Sequence, residues 1–195
     1  MTRSSFVETG SFWSERQREA HPLHEIPYRA CFKPALAGHF IDNFTKSGET
    51  VFDPFMGRGT TPLEAALRGR AAAGSDANPL CEMLAAPRLD PTSIHEIAEW
   101  LDRFDWEKGI ETPPELLAFF HPETLRKICL LRAAFLDQPP DRTASWIRMV
   151  ALTRLTGHSP GFFSVRTLPP NQAIPASAQL SLNARLGQSP PLRNV

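Results

Sequence analysis

The sequence lacks both a long apolar run and paired cysteines. No run approaches the roughly 20 apolar residues that a membrane-spanning helix needs, and the N-terminus has no apolar stretch typical of a secretory signal. We therefore expect a cytoplasmic protein with no membrane partner. The cysteines are odd in number and far apart, which argues against a disulfide framework or a zinc site and predicts reduced, buried thiols at Cys31, Cys81 and Cys129. The histidines show no ligand spacing, so no metal site is predicted.

A net charge is also lacking, because 21 Lys and Arg balance 21 Asp and Glu. The composition therefore shows none of the positive excess that is typical of nucleic-acid-binding proteins. The charged residues are unevenly distributed along the chain, since every acidic residue lies at or before Asp141 and the stretch 142–195 holds six arginines. This basic stretch predicts contacts with nucleic-acid phosphates through Arg148, Arg154 and Arg166. The alternative is a basic tail that balances an acidic body.

Hydrophobic spacing and turn residues divide the chain into four segments. We expect an irregular segment at 1–30, an α/β cofactor-binding core at 31–90, a helical segment at 91–157 and a Pro-rich, irregular basic arm at 158–195. The predicted fold class is α/β, a partial Rossmann-like fold followed by the helical segment and the arm. Few strands are predicted, so we expect the sheet to expose an edge that a second polypeptide could complete.

The most informative stretch, residues 51–61, joins the first predicted strand to a helix. It reads Val-Phe-Asp-Pro-Phe-Met-Gly-Arg-Gly-Thr-Thr. Asp53 ends the strand and glycines allow a tight turn, while Thr61 is predicted to cap the helix with Glu64 as the partner in a capping box. Such a turn presents backbone N–H groups and the positive end of a helix dipole to a ligand. The alternative is an ordinary strand-to-helix turn without a ligand.

The residues around this turn also indicate which ligand it binds. Asp76 ends the next predicted strand, near the offset of about 20 residues at which a carboxylate receives ribose hydroxyls. A phosphate-binding lysine is missing after Gly59, and Pro62 replaces the third glycine of a dinucleotide motif, so ATP and NAD are disfavoured. Asp53 would repel a pyrophosphate but pair with an ammonium group. S-adenosylmethionine fits this polarity, with its carboxylate bound by Gly57, Gly59, Thr60 and Thr61.

The residues from Asp53 to Thr61 resemble the cofactor motif of DNA methyltransferases that act on adenine N-6 or cytosine N-4. The resemblance extends back to residues 32–36, which are similar to the helix before the family's first strand, and forward to residues 74–79, which are similar to its ribose-binding motif. It implies an S-adenosylmethionine-dependent DNA methyltransferase of a restriction–modification system. It also implies further cofactor-site residues, namely Lys33, Pro34, Pro54, Phe55 and Asn78.

The catalytic motif of this family is Asp, Asn or Ser followed by Pro-Pro and an aromatic residue, after a buried apolar strand. Its acceptors bind the hydrogens of a weakly nucleophilic amino group while the aromatic ring stacks on the flipped base. The nearest matches begin at Ser189 and at Leu168, and both lack the aromatic residue. Ser189 is therefore only a candidate, and the catalytic residue stays unassigned. We expect the motif downstream, in keeping with a fragment, a split enzyme or a truncated gene.

Other interpretations of the same features remain open. The chain could be a noncatalytic subunit that binds the cofactor or DNA and is completed by a partner chain, or a methyltransferase of RNA or small molecules. His158, Phe162 and Phe163 could stack on bases. The alternative for the two phenylalanines is a cap on the hydrophobic core under a loop.

Overall fold

A computed structural model of the protein describes residues 20–28, 31–137, 139–168 and 173–195. These residues form a mixed α/β structure in which no helix has the length and apolar character needed to span a bilayer. They divide into two compact units, with 20–25 and 31–85 in the first and 26–28 and the residues from 86 onward in the second. The elements are α1 (Pro34–Phe44), β1 (Thr50–Asp53), α2 (Thr60–Leu67), β2 (Ala71–Gly74), α3 (Pro79–Leu89), α4 (Ile94–Arg103), α5 (Pro122–Asp137), α6 (Arg142–Arg154) and α7 (Ala176–Leu186).

The first unit packs α1 and α2 on one face of a two-stranded parallel sheet. Ala37 and Ile41 of α1 lie one helical turn apart and are buried with Ala65 of α2. Val51 and Ala72 are paired across the sheet and pack against this cluster. The apolar residues after Pro34 recur at helical spacing, which predicts a helix from Pro34 to Phe44, and the short apolar run at residues 50–53 predicts the first strand. The structure confirms both elements.

The opposite face of this sheet is exposed in the part of the chain that the structure describes. Phe52 pairs with Ala73, and its side chain is 59% exposed. Parallel sheets are normally covered on both faces, because crossover connections place helices there. Each strand also has only one neighbour within the described residues. The predicted open edge is therefore observed, together with an uncovered face that sequence reasoning did not predict.

The second unit is helical, as the periodicity of residues 91–157 predicts. Its core is built from Phe119, Phe120, Leu125 and Phe163. Helix α4 begins with a capping box that Ser93 and Glu96 form. The N–H of Ser93, together with the hydroxyls of Ser93 and Thr92, lowers the pKa of Glu96 to about 2, so this carboxylate is ionised at neutral pH.

Residues 158–195 contain a helix, α7, where the sequence predicts an irregular arm. The prediction missed it because the buried face of this helix is partly polar. Gln179 is fully enclosed and donates to Asn183 Oδ1 at 2.7 Å, while Asn183 Nδ2 donates to the carbonyl of Ala118 at 2.8 Å. Hydrophobic spacing does not predict the burial of amide side chains that form hydrogen bonds with each other and with the backbone. Further along, the hydroxyl of Thr124 bonds to both backbone groups of Arg193.

Candidate cofactor site

The turn after β1 is held by hydrogen bonds to its own residues and to the end of β2. Gly57 and Gly59 have φ values of 52° and 82°, in the left-handed region that favours glycine. The N–H of Gly59 donates to the carbonyl of Met56 at 2.7 Å, and the N–H of Met56 donates to the carbonyl of Ser75 at 3.0 Å. The carboxylate of Asp53 accepts the N–H of Phe55 at 3.0 Å. The turn therefore has a defined conformation without any ligand.

Asp76 links the turn to the end of β2. Its carboxylate accepts the N–H of Asn78 and the N–H of Gly57, each at 2.9 Å. These two bonds, first that from Asn78 and then that from Gly57, lower the pKa of Asp76 below its ordinary value. The structure thus brings together two segments that the sequence assigned to one cofactor site. It also shows that the N–H groups of Gly57 and Gly59 already have acceptors within the protein.

Helix α2 begins two residues earlier than predicted, and its cap is different. Gly59 occupies the cap position without a side-chain hydrogen bond, and Thr60 is the first helical residue. The predicted capping box of Thr61 and Glu64 is therefore wrong. Because first-turn N–H groups have no acceptor within the helix, those of Thr60 and Thr61 are the donors that remain for an anionic group.

Glu64 is buried under the helix instead of capping it. Its carboxylate bonds to His24 Nε2 at 2.6 Å and to Arg68, whose Nε donates to Asp42 Oδ2 at 3.0 Å. His24 and Glu64 are 3% and 5% exposed. This network ties α2 to α1 and to the short turn Pro22–His24. Sequence reasoning missed it because the partners are far apart in the chain.

The residues added by the resemblance lie at helix starts and in the turn. Asparagine followed by Pro79 predicts a helix cap at Asn78, and the structure confirms it, because Asn78 accepts the N–H of Leu80 at 3.0 Å at the start of α3. Phe55 is 85% exposed, so its ring is available to a ligand. The others are Lys33 before α1, Pro34 as its first residue and Pro54 in the turn.

Ser189 lies in the second unit, in the extended segment that follows α7. Helix α7 precedes it where the family's motif has a strand, and Leu192, in the place of the aromatic residue, is 62% exposed. Nothing in these surroundings resembles the buried strand end that the catalytic motif requires. Ser189 thus stays a candidate without structural support.

The arginines named for DNA contacts differ in accessibility. Arg154 and Arg166 are exposed, whereas Arg148 is half-buried and its Nε is enclosed without a hydrogen-bond partner. Arg142 forms ion pairs with Asp90 and Glu96, so part of the basic charge is neutralised locally.

The aromatic residues near these arginines pack inward. Phe163 belongs to the core, and the ring of Phe162 lies against Gly157, where an added Cβ would meet it at 2.4 Å. This packing favours the core interpretation for both phenylalanines.

Among the cysteines, Cys81 is buried as expected, Cys129 is half-buried, and Cys31 is exposed, so the prediction of burial is wrong for Cys31.

Comparison with known proteins finds similarity to one family over the first part of the chain. A family model described as DNA methylase matches residues 2–85. The type II methyltransferase M.MjaII of Methanocaldococcus jannaschii is 31% identical over 87 residues, which are 45% of this chain and 16% of that protein. The type II methyltransferase M.BsoBI of Geobacillus stearothermophilus is 32% identical over a 132-residue alignment, covering 57% of this chain and 26% of that protein.

The chain thus spans about a quarter or less of the length of these curated relatives. No solved structure matches it. The matched segment contains α1, both strands, α2 and the glycine turn, which are the elements that carry the resemblance. Residues 2–85 are therefore similar to the DNA methylase family.

Proposed function

We propose that this chain is the cofactor-binding part of an S-adenosylmethionine-dependent DNA methyltransferase that modifies the exocyclic amino group of adenine or cytosine. In this proposal the first unit is part of a Rossmann-like domain and acts in the cytoplasm, within a restriction–modification system. The observation that best supports this proposal is the hydrogen bond from the N–H of Gly57 to the carboxylate of Asp76, which holds the glycine turn against the end of β2. This arrangement puts a helix N-terminus and an ionised carboxylate at one end of a parallel sheet.

Each polar group near the turn fits one part of the proposed cofactor. The N–H groups of Thr60 and Thr61 would bind the carboxylate of the methionine moiety, and Asp53 would bind its ammonium. Asp76 uses one acceptor position on each oxygen for a backbone N–H. Since an ionised carboxylate offers about four acceptor positions, Asp76 can still bind the ribose hydroxyls. Its lowered pKa favours the ionised form that this role needs.

The uncovered sheet supports a partner in the same proposal. The exposed side chain of Phe52 and the unpaired edges of β1 and β2 are what a larger parallel sheet would cover. We propose that further strands and the catalytic motif are supplied by additional polypeptide. The same surface is compatible with a second candidate function, that of a noncatalytic subunit completed by a partner chain.

Replacing Asp53 or Asp76 with alanine is expected to weaken S-adenosylmethionine binding about ten- to a hundredfold. Each substitution removes a carboxylate that would accept charged or polar hydrogen bonds from the cofactor. Isothermal titration calorimetry measures this. The matched control is Asp102→Ala, which removes an exposed carboxylate on α4. Circular dichroism must first show that each variant is folded. Unchanged affinity in both folded variants would place the cofactor elsewhere.

The basic stretch from Arg142 is expected to give weak DNA binding that decreases as salt increases, since each neutralised phosphate releases counterions. Replacing Arg154 and Arg166 with alanine should reduce the slope of log K against log salt by about 0.9 for each phosphate that the variant no longer neutralises. Arg148→Ala should have a smaller effect, because that side chain is half-buried. Fluorescence anisotropy with a labelled duplex measures the slopes.

The control for the arginine variants is Arg103→Ala. Arg103 is exposed but paired with Glu99 at 2.9 Å, so its charge is already balanced. If the double variant and this control have the same salt slope as the unmodified chain, the basic residues have a structural role instead.

A further inference from the structure

The second unit contains a mostly apolar cavity of about 290 Å³. It is lined by α4, α5 and α6, with Leu101, Leu131 and Ile147 among its apolar residues, and by four residues outside these helices, Trp106, Phe163, Asn194 and Val195. Ligand pockets usually measure about 300 to 1,000 Å³, so this one is at the small end and suits a single ring system. It has no role in the proposed cofactor site, because that site belongs to the first unit.

Two tryptophans give the cavity flat aromatic walls. Trp106 and Trp146 both line it and are both half-buried. Trp106 Nε1 donates to the carbonyl of Leu101 at 3.2 Å, so the polar edge of the indole is satisfied, and the ring of Phe104 packs against the indole with the ring centres 4.7 Å apart. The Nζ of Lys127 lies 5.8 Å from the centre of the Trp106 ring. Positive charge therefore borders an aromatic surface.

Arg154 is the charged side chain in the lining of this cavity. Its Nε donates to the carbonyl of Gly161 at 2.9 Å, which fixes the guanidinium while leaving its terminal nitrogens for other contacts. Within the described residues, Arg154 forms no ion pair with a carboxylate. It also lies in the stretch 142–195, which has no acidic residue. A ligand that combines an aromatic ring with a negative charge fits this lining better than a purely aliphatic one.

We infer that this cavity binds an unstacked nucleobase, with the base stacked on Trp146 or Trp106 and the adjacent phosphate bound by Arg154. The inference deepens the proposed function and rests on DNA as the substrate. Aromatic side chains and arginines are the groups that proteins use for unstacked bases, because every base has a π face and every nucleotide a phosphate. The cavity is thus a base-binding site distinct from the catalytic motif, which we propose to lie on additional polypeptide.

The test compares two oligonucleotides of equal charge, a mixed-sequence single strand and an abasic strand of the same length. Binding is followed by tryptophan fluorescence and by anisotropy. The normal single strand should quench the fluorescence and bind about five- to 150-fold more tightly than the abasic strand, from the stacking of one base. Trp146→Leu keeps an apolar side chain but removes the ring, so it should largely remove this difference in affinity.

The matched control is Trp100→Leu. Trp100 is also half-buried, but it stacks on Phe104 and Phe135 and does not line the cavity. It should leave the ratio of affinities unchanged. Melting curves of both tryptophan variants show whether either has lost its structure. If Trp146→Leu is unfolded, Arg154→Gln replaces it, because this substitution leaves the aromatic walls intact. Arg154→Gln should weaken the binding of both strands.

Three results would overturn the inference. The first is equal affinity for the normal and the abasic strand, and the second is a preference for bases that persists in folded Trp146→Leu. The third is saturation of the fluorescence change by cyclohexanol without any response to oligonucleotides, which would assign the cavity to an aliphatic group. Because the calorimetric test concerns Asp53 and Asp76 of the first unit, cofactor binding can succeed while the base site fails.

Discussion

Replacing Gly59 with valine is expected to abolish measurable S-adenosylmethionine binding. Gly59 has a φ of 82° and precedes the first residue of α2. A left-handed conformation costs L-residues about 1–2 kcal/mol, and a β-branched residue is a genuine outlier there. A turn that relaxes this strain would displace the donors of Thr60 and Thr61. Losing two hydrogen bonds to a charged group, at about 1.5–3 kcal/mol each, weakens binding more than a hundredfold.

The matched control is the same substitution at Gly48. Gly48 also has a positive φ, 84°, and has open space where a Cβ would lie. It lies in the turn before β1, between Lys46 and Glu49, so Gly48→Val carries a similar backbone strain without changing the glycine turn. Calorimetry should therefore show loss of binding only for Gly59→Val. Equal binding by both folded variants would contradict the proposed role of the turn.

The elements that the sequence predicted well are those with local signals. Pro34 and the apolar spacing after it predicted α1 over the residues at which the structure has it, and Asn78 caps α3 as expected. Asp53 is the last residue of β1 and Asp76 lies two residues after β2, so the meeting of their segments at one end of the sheet followed from the parallel order alone. A strand of four residues with a turn on each side gives a local signal of this kind.

The features that the sequence did not predict depend on partners that are distant in the chain. Glu64 has the spacing of a capping residue, but its bonds to His24 and Arg68 outcompete the cap because the side chain is buried. A buried carboxylate with a bonded partner on each oxygen avoids the cost of desolvation without compensation. Likewise, the amides of Gln179 and Asn183 are buried only because they bond to each other and to Ala118.

The site itself was predicted in position but not in detail. The resemblance at Asp53–Thr61 located the turn, and the match to the DNA methylase family covers it. The geometry assigns the N–H of Gly57 to Asp76 and that of Gly59 to Met56, which the motif alone could not indicate. Only first-turn donors therefore remain for the proposed ligand, and this is why the largest effect on binding is expected at the residue that sets the start of α2.

This chain alone is expected to transfer no methyl groups to DNA. Binding of the donor leaves the target nitrogen without its acceptors and without a stacking aromatic residue, since the segment around Ser189 ends in Leu192 and follows a helix. Loss of one preorganised donor can reduce a rate about a hundred- to a thousandfold, so loss of the whole set leaves nothing measurable. The same preparation should therefore bind S-adenosylmethionine without transferring its methyl group.

The assay is transfer of tritiated methyl groups from S-adenosylmethionine to mixed-sequence duplex DNA, with the chain alone and with any polypeptide encoded directly downstream. Cofactor binding by calorimetry on the same sample is the control, because it distinguishes an inactive protein from an unfolded one. Activity that requires the second polypeptide, and that Asp76→Ala reduces, would support a split enzyme. Turnover by the isolated chain that Ser189→Ala abolishes would instead show that serine, two prolines and Leu192 form a working variant of the catalytic motif. In that case Ser189 would have to reach the base from the segment that follows α7, where a helix stands in place of the strand of the family's motif.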